Sequence, residues 1–428
     1  MSEIRISGTK DHFEKDGKPF FYLADTVWSA FSNAAPEEWE EYLDYRRMQN
    51  FNVLQISVLP ILHDRSESVL RIEPFHLNSR GTFDFLRIND AYFTRARKMV
   101  EAAAQKGFTA ALVVLWCNYV PDSWASKSHP DYIMPAEAVK PYTEYVVNAF
   151  REFNPIYIIS GDTAFESELL KKHYLTALET VKSMCPEALT TMHLSGGNAD
   201  LPEEFVQSPH LDFYMYQSSH MAEHQNNSYY LAGKFLEKPV KKPVVNGEPC
   251  YEGHGHGNKY GRFSAFDVRK AVWQSLLSGA KAGVTYGAHG IWSWHRRHVK
   301  FSSESFSGTP FPWRAALQLQ GAWDAGFARW IFEQNQLFDL EPADIIVNET
   351  GEITACVSNG SRKIAVYAPY NADIKVKMDL SGYDWTLFDL ANRRVAKPVL
   401  ANDGSLFVFK MHDFNTDILL IGAKQEFS

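Results

Sequence analysis

The 428-residue sequence has few cysteines, and they are scattered. Cys117, Cys185, Cys250 and Cys356 lie far apart and form no Cys-x-x-Cys pair. This spacing indicates neither a zinc cluster nor a framework of disulfides. We therefore expect four free thiols in a reducing compartment.

Basic charge is also scarce. The chain has 43 Lys and Arg residues against 51 Asp and Glu residues, which gives a formal net charge of −8. The short lysine-rich stretch at residues 238–242 is interrupted by proline and valine. This balance argues against binding to nucleic acid or to an anionic membrane surface.

Long apolar runs are missing as well. No stretch of about 18 apolar residues occurs, so no transmembrane helix is predicted. The start of the chain, Met1-Ser-Glu-Ile-Arg5, has no charged-then-apolar signal pattern. We expect a cytoplasmic protein; a secreted protein whose leader has been removed is the alternative.

Several catalytic motifs are absent. The sequence contains no Gly-x-Gly-x-x-Gly or Gly-x4-Gly-Lys-Ser/Thr stretch for nucleotides, and no Gly-x-Ser-x-Gly elbow of a serine hydrolase. It also lacks the His-Glu-x-x-His motif of zinc peptidases. No cofactor is expected.

Aromatic residues are abundant, at 14% of the chain, with 11 Trp, 20 Tyr and 29 Phe. Many must pack in the core, because aromatic side chains bury large areas. An excess of Trp and Tyr near loops also suits a pocket that stacks on sugar rings.

The first 300 residues alternate between strand-like and helix-like segments. Such alternation predicts a parallel sheet covered by helices, and eight strands predict closure into a (β/α)8 TIM barrel. The predicted strands are residues 20–24, 51–58, 109–115, 156–160, 189–193, 213–216, 244–246 and 284–286. The predicted helices are residues 37–50, 89–107, 137–150, 165–184, 227–236, 266–282 and 313–335.

The pattern changes after about Leu340. Short alternating segments separated by Asn-, Gly- and Asp-containing turns predict a small all-β sandwich. We place the barrel at residues 1–335 and the sandwich at 340–428. The predicted sandwich strands are residues 344–347, 353–357, 363–368, 374–378, 385–388 and 406–410.

Candidate site residues follow from the barrel. Reactive groups lie at the C-terminal ends of the strands, where side chains converge on one mouth. Two carboxylates stand there in the second half of the barrel, Asp162 after the fourth strand and Glu248 after the seventh. The other residues predicted to contact substrate are Asp25, Trp116, Asn118, His193, Tyr216, His289 and Trp292.

Structural roles compete with these assignments. A carboxylate after a strand can cap the next helix, which is the alternative for Asp162 and for Asp25. Glu is a poor N-cap, and Glu248 is flanked by Gly247 and Pro249. Simple burial is the alternative to sugar stacking for three tryptophans, namely Trp116, Trp292 and Trp294.

Three segments carry a family resemblance. The segments Leu23-Ala-Asp25-Thr-Val-Trp28, Gly161-Asp162 and Asn246-Gly-Glu248-Pro resemble the apiosidase-like glycoside hydrolases. Many relatives in that family carry a second domain described as the collagen-binding domain of a collagenase. The resemblance covers nearly the whole chain. We see no residue cluster that would select collagen.

The resemblance implies a retaining glycosidase. Glu248 would be the nucleophile and Asp162 the acid and base, with Asp162 kept neutral by a raised pKa. The wider clan usually has Asn-Glu at the fourth strand, where this chain has Gly161-Asp162, and Asp is one methylene shorter. Tyr216 is expected to hold Glu248 ionised, and Asp25 to bind sugar hydroxyls. Apiose release from pectic or other plant-derived oligosaccharides is the implied reaction.

Two other classes of function are alternatives. A carbohydrate-binding barrel without turnover would keep the pocket, and a metal-dependent hydrolase would need three or four converging ligands. The pair His254 and His256, together with His289, His295 and His298, suggests metal binding. The pair follows the seventh strand rather than the first, so we expect no metal and interpret residues 253–257 as a lid or substrate-contact loop. The sugar, the linkage and the oligomeric state stay open.

Overall fold

The computed structural model describes residues 3–257, 260–402 and 404–424. Eight short parallel strands form its centre, and all eight were predicted. In chain order they are β1 Tyr22–Thr26, β2 Val53–Ser57, β3 Thr109–Trp116, β4 Ile156–Gly161, β5 Thr190–Thr191, β6 Tyr214–Gln217, β7 Val244–Glu248 and β8 Gly283–Tyr286.

The sheet closes into a barrel. Neighbouring strands pair in the order β5-β4-β3-β2-β1-β8-β7-β6. A parallel bridge between His193 and Met215 brings the two ends of the sheet together. The prediction of a (β/α)8 barrel is therefore confirmed.

A helix follows each strand on the outside of the barrel. These are α1 Pro36–Met48, α2 Asp90–Gln105, α3 Ala136–Phe150, α4 Glu168–Met184, α5 Glu203–Val206, α6 Asn227–Leu236, α7 Ala265–Leu277 and α8 Gln320–Gln334. Shorter α-helices cover Ala30–Asn33, Glu304–Ser307 and Trp313–Ala316.

Local sequence explains where several helices begin. The side chain of Asn89 accepts a hydrogen bond from the backbone of Ala91 and caps α2. Ser167 caps α4 in the same way, so this helix begins three residues later than predicted. The helix predicted over 313–335 is broken into two, and α5 was missed because it is a single turn.

An N-terminal sheet lies at the other end of the barrel from the β7–α7 and β8–α8 loops. Its strands are Ile4–Ile6, Phe13–Lys15 and Lys18–Phe20, and they were not predicted. Phe13 is fully buried, and its ring meets that of Phe213 at 5.1 Å, edge to face. A two-stranded ribbon, Phe75–Leu77 and Phe83–Ile88, stands in the segment between β2 and α2.

Antiparallel sheets form the C-terminal region, as predicted. The strands are β9 Leu340–Pro342, β10 Thr354–Ser358, β11 Lys363–Ala368, β12 Ile374–Val376, β13 Tyr383–Asp389, β14 Arg394–Ala396, β15 Leu400–Asn402, β16 Phe407–Phe409 and β17 Ile418–Lys424. Six strands pair in the order β9-β10-β11-β17-β13-β14, and three in the order β12-β16-β15. The two sheets enclose a separate apolar cluster that includes Trp385 and Leu420.

One predicted strand is wrong. Residues 344–347 form no strand, and only Ile346 makes an isolated bridge, to Val376. Conversely, β17 lies at the middle of the six-stranded sheet and was missed, since its continuous apolar run does not alternate. Its outer face packs on the barrel, because Leu419 and Ile421 belong to the barrel's apolar cluster.

All four cysteines are free thiols. In the part of the chain that is described, no helix is both long enough and apolar enough to cross a membrane.

Candidate active site

A cavity of about 530 Å³ opens at the mouth of the barrel formed by the C-terminal ends of the strands. Asp162, at the end of β4, and Glu248, the last residue of β7, both line it. The two carboxylates that the sequence singled out therefore face one space, together with several aromatic rings.

Glu248 is positioned by close packing beneath it. A Cβ atom on the preceding Gly247 would lie 2.3 Å from Cγ of Met215, so a larger residue would force the Met215 side chain to move. The Glu248 side chain is 8% exposed. His220 Nε2 lies 2.8 Å from one carboxylate oxygen and donates to it. His193 Nε2 lies 2.9 Å from the other oxygen, in a contact that is short but poorly aligned.

The surroundings of Glu248 favour its charged form. Burial alone would raise the pKa of this carboxyl group, but the close contacts of His193 and His220 with its two oxygens outweigh burial. The net result is a pKa well below the ordinary value for glutamate. Glu248 is therefore ionised at any pH where the protein would be expected to work.

Asp162 leaves β4 in an unusual backbone conformation. Its φ is +57°, in the left-handed region that Asp tolerates better than most residues. A Cβ atom on the preceding Gly161 would lie 2.4 Å from the Trp116 ring. The indole of Trp124 donates to the backbone oxygen of Asp162 over 2.9 Å. Because Ser167 caps α4, Asp162 does not act as that cap.

The surroundings of Asp162 favour its protonated form, in contrast to those of Glu248. Burial, and then the nearby negative charge of Glu248, raise the pKa of Asp162 to about 7, against a weaker lowering by His193. Two carboxyl groups of one cavity thus differ in protonation near neutral pH. Such divergence is the pattern expected of an acid paired with a nucleophile.

His193 connects the two groups. Its Nδ1 accepts a hydrogen bond of 3.2 Å from the backbone N–H of Asp162. The ring proton must therefore lie on Nε2, which points toward Glu248. His193 is fully buried and holds the nucleophile and the acid in a fixed relation, although it was predicted to contact substrate.

Two predicted stacking residues do line the cavity. The Trp116 ring meets that of Trp28 at 5.2 Å and forms one wall, and Trp292 forms another. Both rings are almost fully buried, at 4% and 3% exposure. They therefore offer little surface on which a sugar ring could stack.

Tyr216 and Asp25 lie away from the cavity. Tyr216 points outward to α6, where its hydroxyl donates to the Ser228 carbonyl over 2.8 Å. The expectation that Tyr216 keeps Glu248 ionised is therefore corrected: two histidines do so. Asp25 is fully buried and accepts hydrogen bonds from Arg46 at 2.6 Å and Tyr42 at 2.7 Å. It anchors α1 to the barrel and is out of reach of a sugar.

Asn118 and His289 were placed differently from expectation, and Trp294 takes the buried position that was one of its two alternatives. Asn118 is buried behind the cavity, where its side-chain oxygen accepts from His63 Nδ1 at 2.9 Å. His289 donates from Nε2 to the Gly308 carbonyl at 2.9 Å and supports the β8–α8 loop. Trp294 stacks on Trp313 at 4.9 Å, far from the opening.

Sequence reasoning missed several cavity residues on the loops. They come from the segments after β2, β3, β6 and β8, in which no periodic pattern indicates where a side chain points. These residues are His63, Asp64, Trp124, His220 and Phe306. His254, from the predicted contact loop after β7, also lines the cavity, and it is 2% exposed.

The histidine-rich loops do not assemble a metal centre in the part of the chain that can be described. Within residues 3–257, 260–402 and 404–424, no group of three or more His, Cys, Asp or Glu side chains is arranged to hold a metal ion.

Comparison with known proteins found a matching family model. The family model described as "Apiosidase-like, catalytic domain" matches residues 7–339. The match ends before the C-terminal sheets, so it does not bear on the collagen-binding description. A search of curated proteins found no match.

Several solved structures with a similar fold are described as glycoside hydrolases. One described as "Glycoside hydrolase" is 21% identical with a TM-score of 0.82, and the alignment covers 99% of this chain and 97% of that one. A family 5 glycoside hydrolase from Bacteroides vulgatus is 19% identical with a TM-score of 0.81, covering 99% and 93%. An Anoxybacillus α-amylase is more distant, at 11% identity and a TM-score of 0.52, covering 95% and 98%.

Proposed function

Because the chain belongs to the apiosidase-like family of glycoside hydrolases, we propose that it cleaves its glycosidic bond by double displacement, with retention of configuration. Glu248 is the nucleophile, and Asp162 is the general acid and then the general base. The observation that carries this assignment is the opposite displacement of their pKa values within one cavity.

In the first step Glu248 attacks the anomeric carbon and Asp162 gives its proton to the leaving oxygen. The glycosyl–oxygen bond breaks as the bond to the Glu248 carboxylate forms. Once Asp162 has lost its proton, it draws a proton from a water molecule, which attacks the anomeric carbon. As the water oxygen bonds to that carbon, the ester bond to Glu248 breaks and releases the carboxylate. The sugar leaves, with Asp162 protonated again and Glu248 ionised.

The histidines around Glu248 keep its carboxylate in place through this cycle. They hold the carboxylate ionised and oriented before attack, and His193 sets its position relative to Asp162. Burial, together with the negative charge on Glu248, keeps Asp162 protonated. When Glu248 becomes an ester this repulsion ends, so the pKa of Asp162 falls at the moment when a base is required.

For substrate, we propose short plant-derived oligosaccharides, with apiose-containing pectic side chains as the first to test. The family supplies this choice, and the mouth of the cavity is compatible with it. Two partly exposed rings, Trp124 at 42% and Phe306 at 41%, stand at the opening and offer apolar surface to the sugar beyond the cleaved bond.

The test is hydrolysis by the purified full-length chain. Its substrates are a panel of 4-nitrophenyl pentosides and hexosides, in furanose and pyranose forms, and apiose-containing pectic fragments. Glu248→Gln and Asp162→Asn keep the size of each side chain and remove its acid–base chemistry. We expect Glu248→Gln to lower kcat by about 10⁴-fold or more.

A chain that only binds sugars would behave differently. It would hydrolyse no member of the panel, although its tryptophan fluorescence would still respond to them. Unchanged turnover by Glu248→Gln would show that the nucleophile is assigned to the wrong residue.

A further inference from the structure

Two polar residues of the loop after β2 face the cavity and have no part in the mechanism above. They are the neighbours His63 and Asp64, and both line the space that contains Glu248. They therefore share the cavity in which the reacting sugar would bind.

The hydrogen-bond network defines which atom His63 presents. The side-chain oxygen of Asn118 accepts from the backbone N–H of Leu62 at 3.3 Å, which identifies it as the oxygen rather than the nitrogen. His63 Nδ1 lies 2.9 Å from the same oxygen and must donate its proton to it. Nε2 therefore carries a lone pair. Burial lowers the pKa of His63 to about 4, so the ring stays neutral near pH 7.

Asp64 offers complementary chemistry. Its Oδ1 atom is buried and has no hydrogen-bond partner among the described residues. Burial raises the pKa of Asp64 to about 7, and it outweighs the opposing effect of the adjacent Ser303. A neutral carboxyl group can both donate and accept. A buried oxygen without a partner, on the wall of an open cavity, is what a ligand hydroxyl would satisfy.

The loop holding this pair is braced against the β8–α8 loop. Hydroxyl groups of Ser302 and Ser303 donate to the His63 carbonyl at 3.1 and 3.0 Å. Ser66 forms a bridge with Phe301, and the Trp124 ring packs on His63 at 4.7 Å. The two polar groups are thus fixed in place before a ligand binds, which favours selectivity.

From this arrangement we propose that His63 and Asp64 form a hydroxyl-binding pair that recognises two adjacent hydroxyl groups of the sugar held at Glu248. His63 Nε2 accepts a hydrogen bond from one hydroxyl, and the Asp64 carboxyl group bonds to its neighbour. The ligand class is a sugar with a free vicinal diol. The inference rests on the proposed function for the identity of the ligand, and it names the residues that select it.

The test uses three variants of the full chain, with one matched control. His63→Phe and Asp64→Leu keep an approximate shape but remove the polar atoms, whereas Asp64→Asn keeps a donor and an acceptor. The control, Glu67→Gln, changes an exposed side chain on the same loop. Thermal unfolding of each variant confirms that it is folded, and if one fails to fold, the other removal variant carries the test.

The first measurement is kcat/KM on the 4-nitrophenyl glycoside that the wild type hydrolyses. We expect His63→Phe and Asp64→Leu to lose roughly 10- to 100-fold each, because each leaves a sugar hydroxyl unpaired. Asp64→Asn should retain most of the activity, and Glu67→Gln all of it.

The second measurement repeats the assay with substrates lacking one hydroxyl. For the wild type, removing the substrate hydroxyl that bonds to Asp64 should lower kcat/KM as much as the substitution Asp64→Leu does. For the Asp64→Leu variant, the same deoxy substrate should give no further decrease in kcat/KM. If each deoxy substrate lowers kcat/KM by the same factor in the wild type and in the variants, the proposal is overturned.

Binding of the free sugars, followed by tryptophan fluorescence, separates this inference from the proposed function. Binding that depends on His63 and Asp64 without any hydrolysis would support the pair and contradict the function. Hydrolysis that is unaffected by His63→Phe and Asp64→Leu would support the function and overturn the pair.

Discussion

Two carboxyl groups that line one cavity differ in protonation because their immediate neighbours differ. Glu248 receives two histidine contacts, at 2.8 and 2.9 Å, while Asp162 receives a histidine only at its backbone N–H. Burial acts on both in the same direction, so the histidines decide which one is ionised.

At the residue scale, the first prediction concerns the alkaline limb of the pH profile. Asp162 serves as an acid only when it is protonated, and its pKa is raised to about 7. We expect kcat/KM to fall as the pH rises through about 7. For Asp162→Asn on a dinitrophenyl glycoside, whose leaving group needs no proton, that limb should disappear.

Asp64 provides the control for this assignment, because burial raises its pKa to the same region. Asp64→Asn should leave the alkaline limb in place. An alkaline limb that persists in Asp162→Asn and vanishes in Asp64→Asn would assign the acid to Asp64.

The second prediction concerns the acid limb. His220 helps to hold the pKa of Glu248 low, and Glu248 must be ionised to attack. His220→Phe should raise that pKa, so activity should be lost at a higher pH on acidification, with a lower kcat. The exposed His224, on the same loop, gives the control His224→Gln, for which we expect no change in the profile.

Part of the site could be predicted at this scale because strand ends are visible in the sequence. Both carboxylates and the glycines before them were found in this way. Strand ends do not reveal the direction in which a side chain points. Tyr216 and Gln217 are consecutive, and only Gln217 faces the cavity. Alternation along a strand separates them, but a one-residue error in the strand boundary reverses the answer.

At the scale of elements, alternating patterns identified the eight barrel strands and most of the helices. The loops that complete the site were beyond such patterns. His63, Trp124 and His220 are placed by contacts between loops distant in sequence, such as the bridge from Ser66 to Phe301. The strand β17 was missed because its apolar residues form a continuous run and do not alternate with polar ones.

The loop after β3 carries the third prediction. Trp124 stands at the rim of the cavity, and its indole N–H is bonded to Asp162. If its ring supports the leaving group, Trp124→Ala should lower kcat/KM for aryl glycosides by about 10-fold or more and leave glycosyl fluorides nearly unaffected. Trp124→Phe, which keeps a ring and loses the N–H, should resemble the wild type.

A different ranking of the two Trp124 variants would assign this residue another role. If Trp124→Phe is as impaired as Trp124→Ala, the N–H bond that positions Asp162 is the important feature, and stacking on the leaving group is not.

At the scale of the whole molecule, a buried ion-pair cluster joins the barrel to the C-terminal sheets. Arg269 on α7 contacts Asp417, just before β17, at 2.7 Å and Asp324 on α8 at 2.8 Å. Both aspartates are almost fully buried. The C-terminal sheets are therefore attached to the barrel through specific charges as well as apolar packing.

The fourth prediction tests that attachment. Arg269→Met leaves two buried carboxylates without their main partner and should lower the free energy of unfolding by about 3–5 kcal/mol. Urea denaturation measures the change. The control is Lys397→Met, which breaks an ion pair with Asp384 whose side chains are 67% and 58% exposed, and should cost about 0–1 kcal/mol. Equal effects would mean that the cluster does not hold the two parts together.

The most direct test of the whole account is covalent trapping of the nucleophile. The purified chain is incubated with the 2-deoxy-2-fluoro dinitrophenyl derivative of the sugar that it hydrolyses. It is then digested with a protease, and the masses of its peptides are measured by mass spectrometry. We predict one fluorosugar adduct, on the peptide that contains Glu248, and none in Glu248→Gln. An adduct on another residue, or hydrolysis of the parent glycoside with inversion and no adduct at all, would contradict the mechanism.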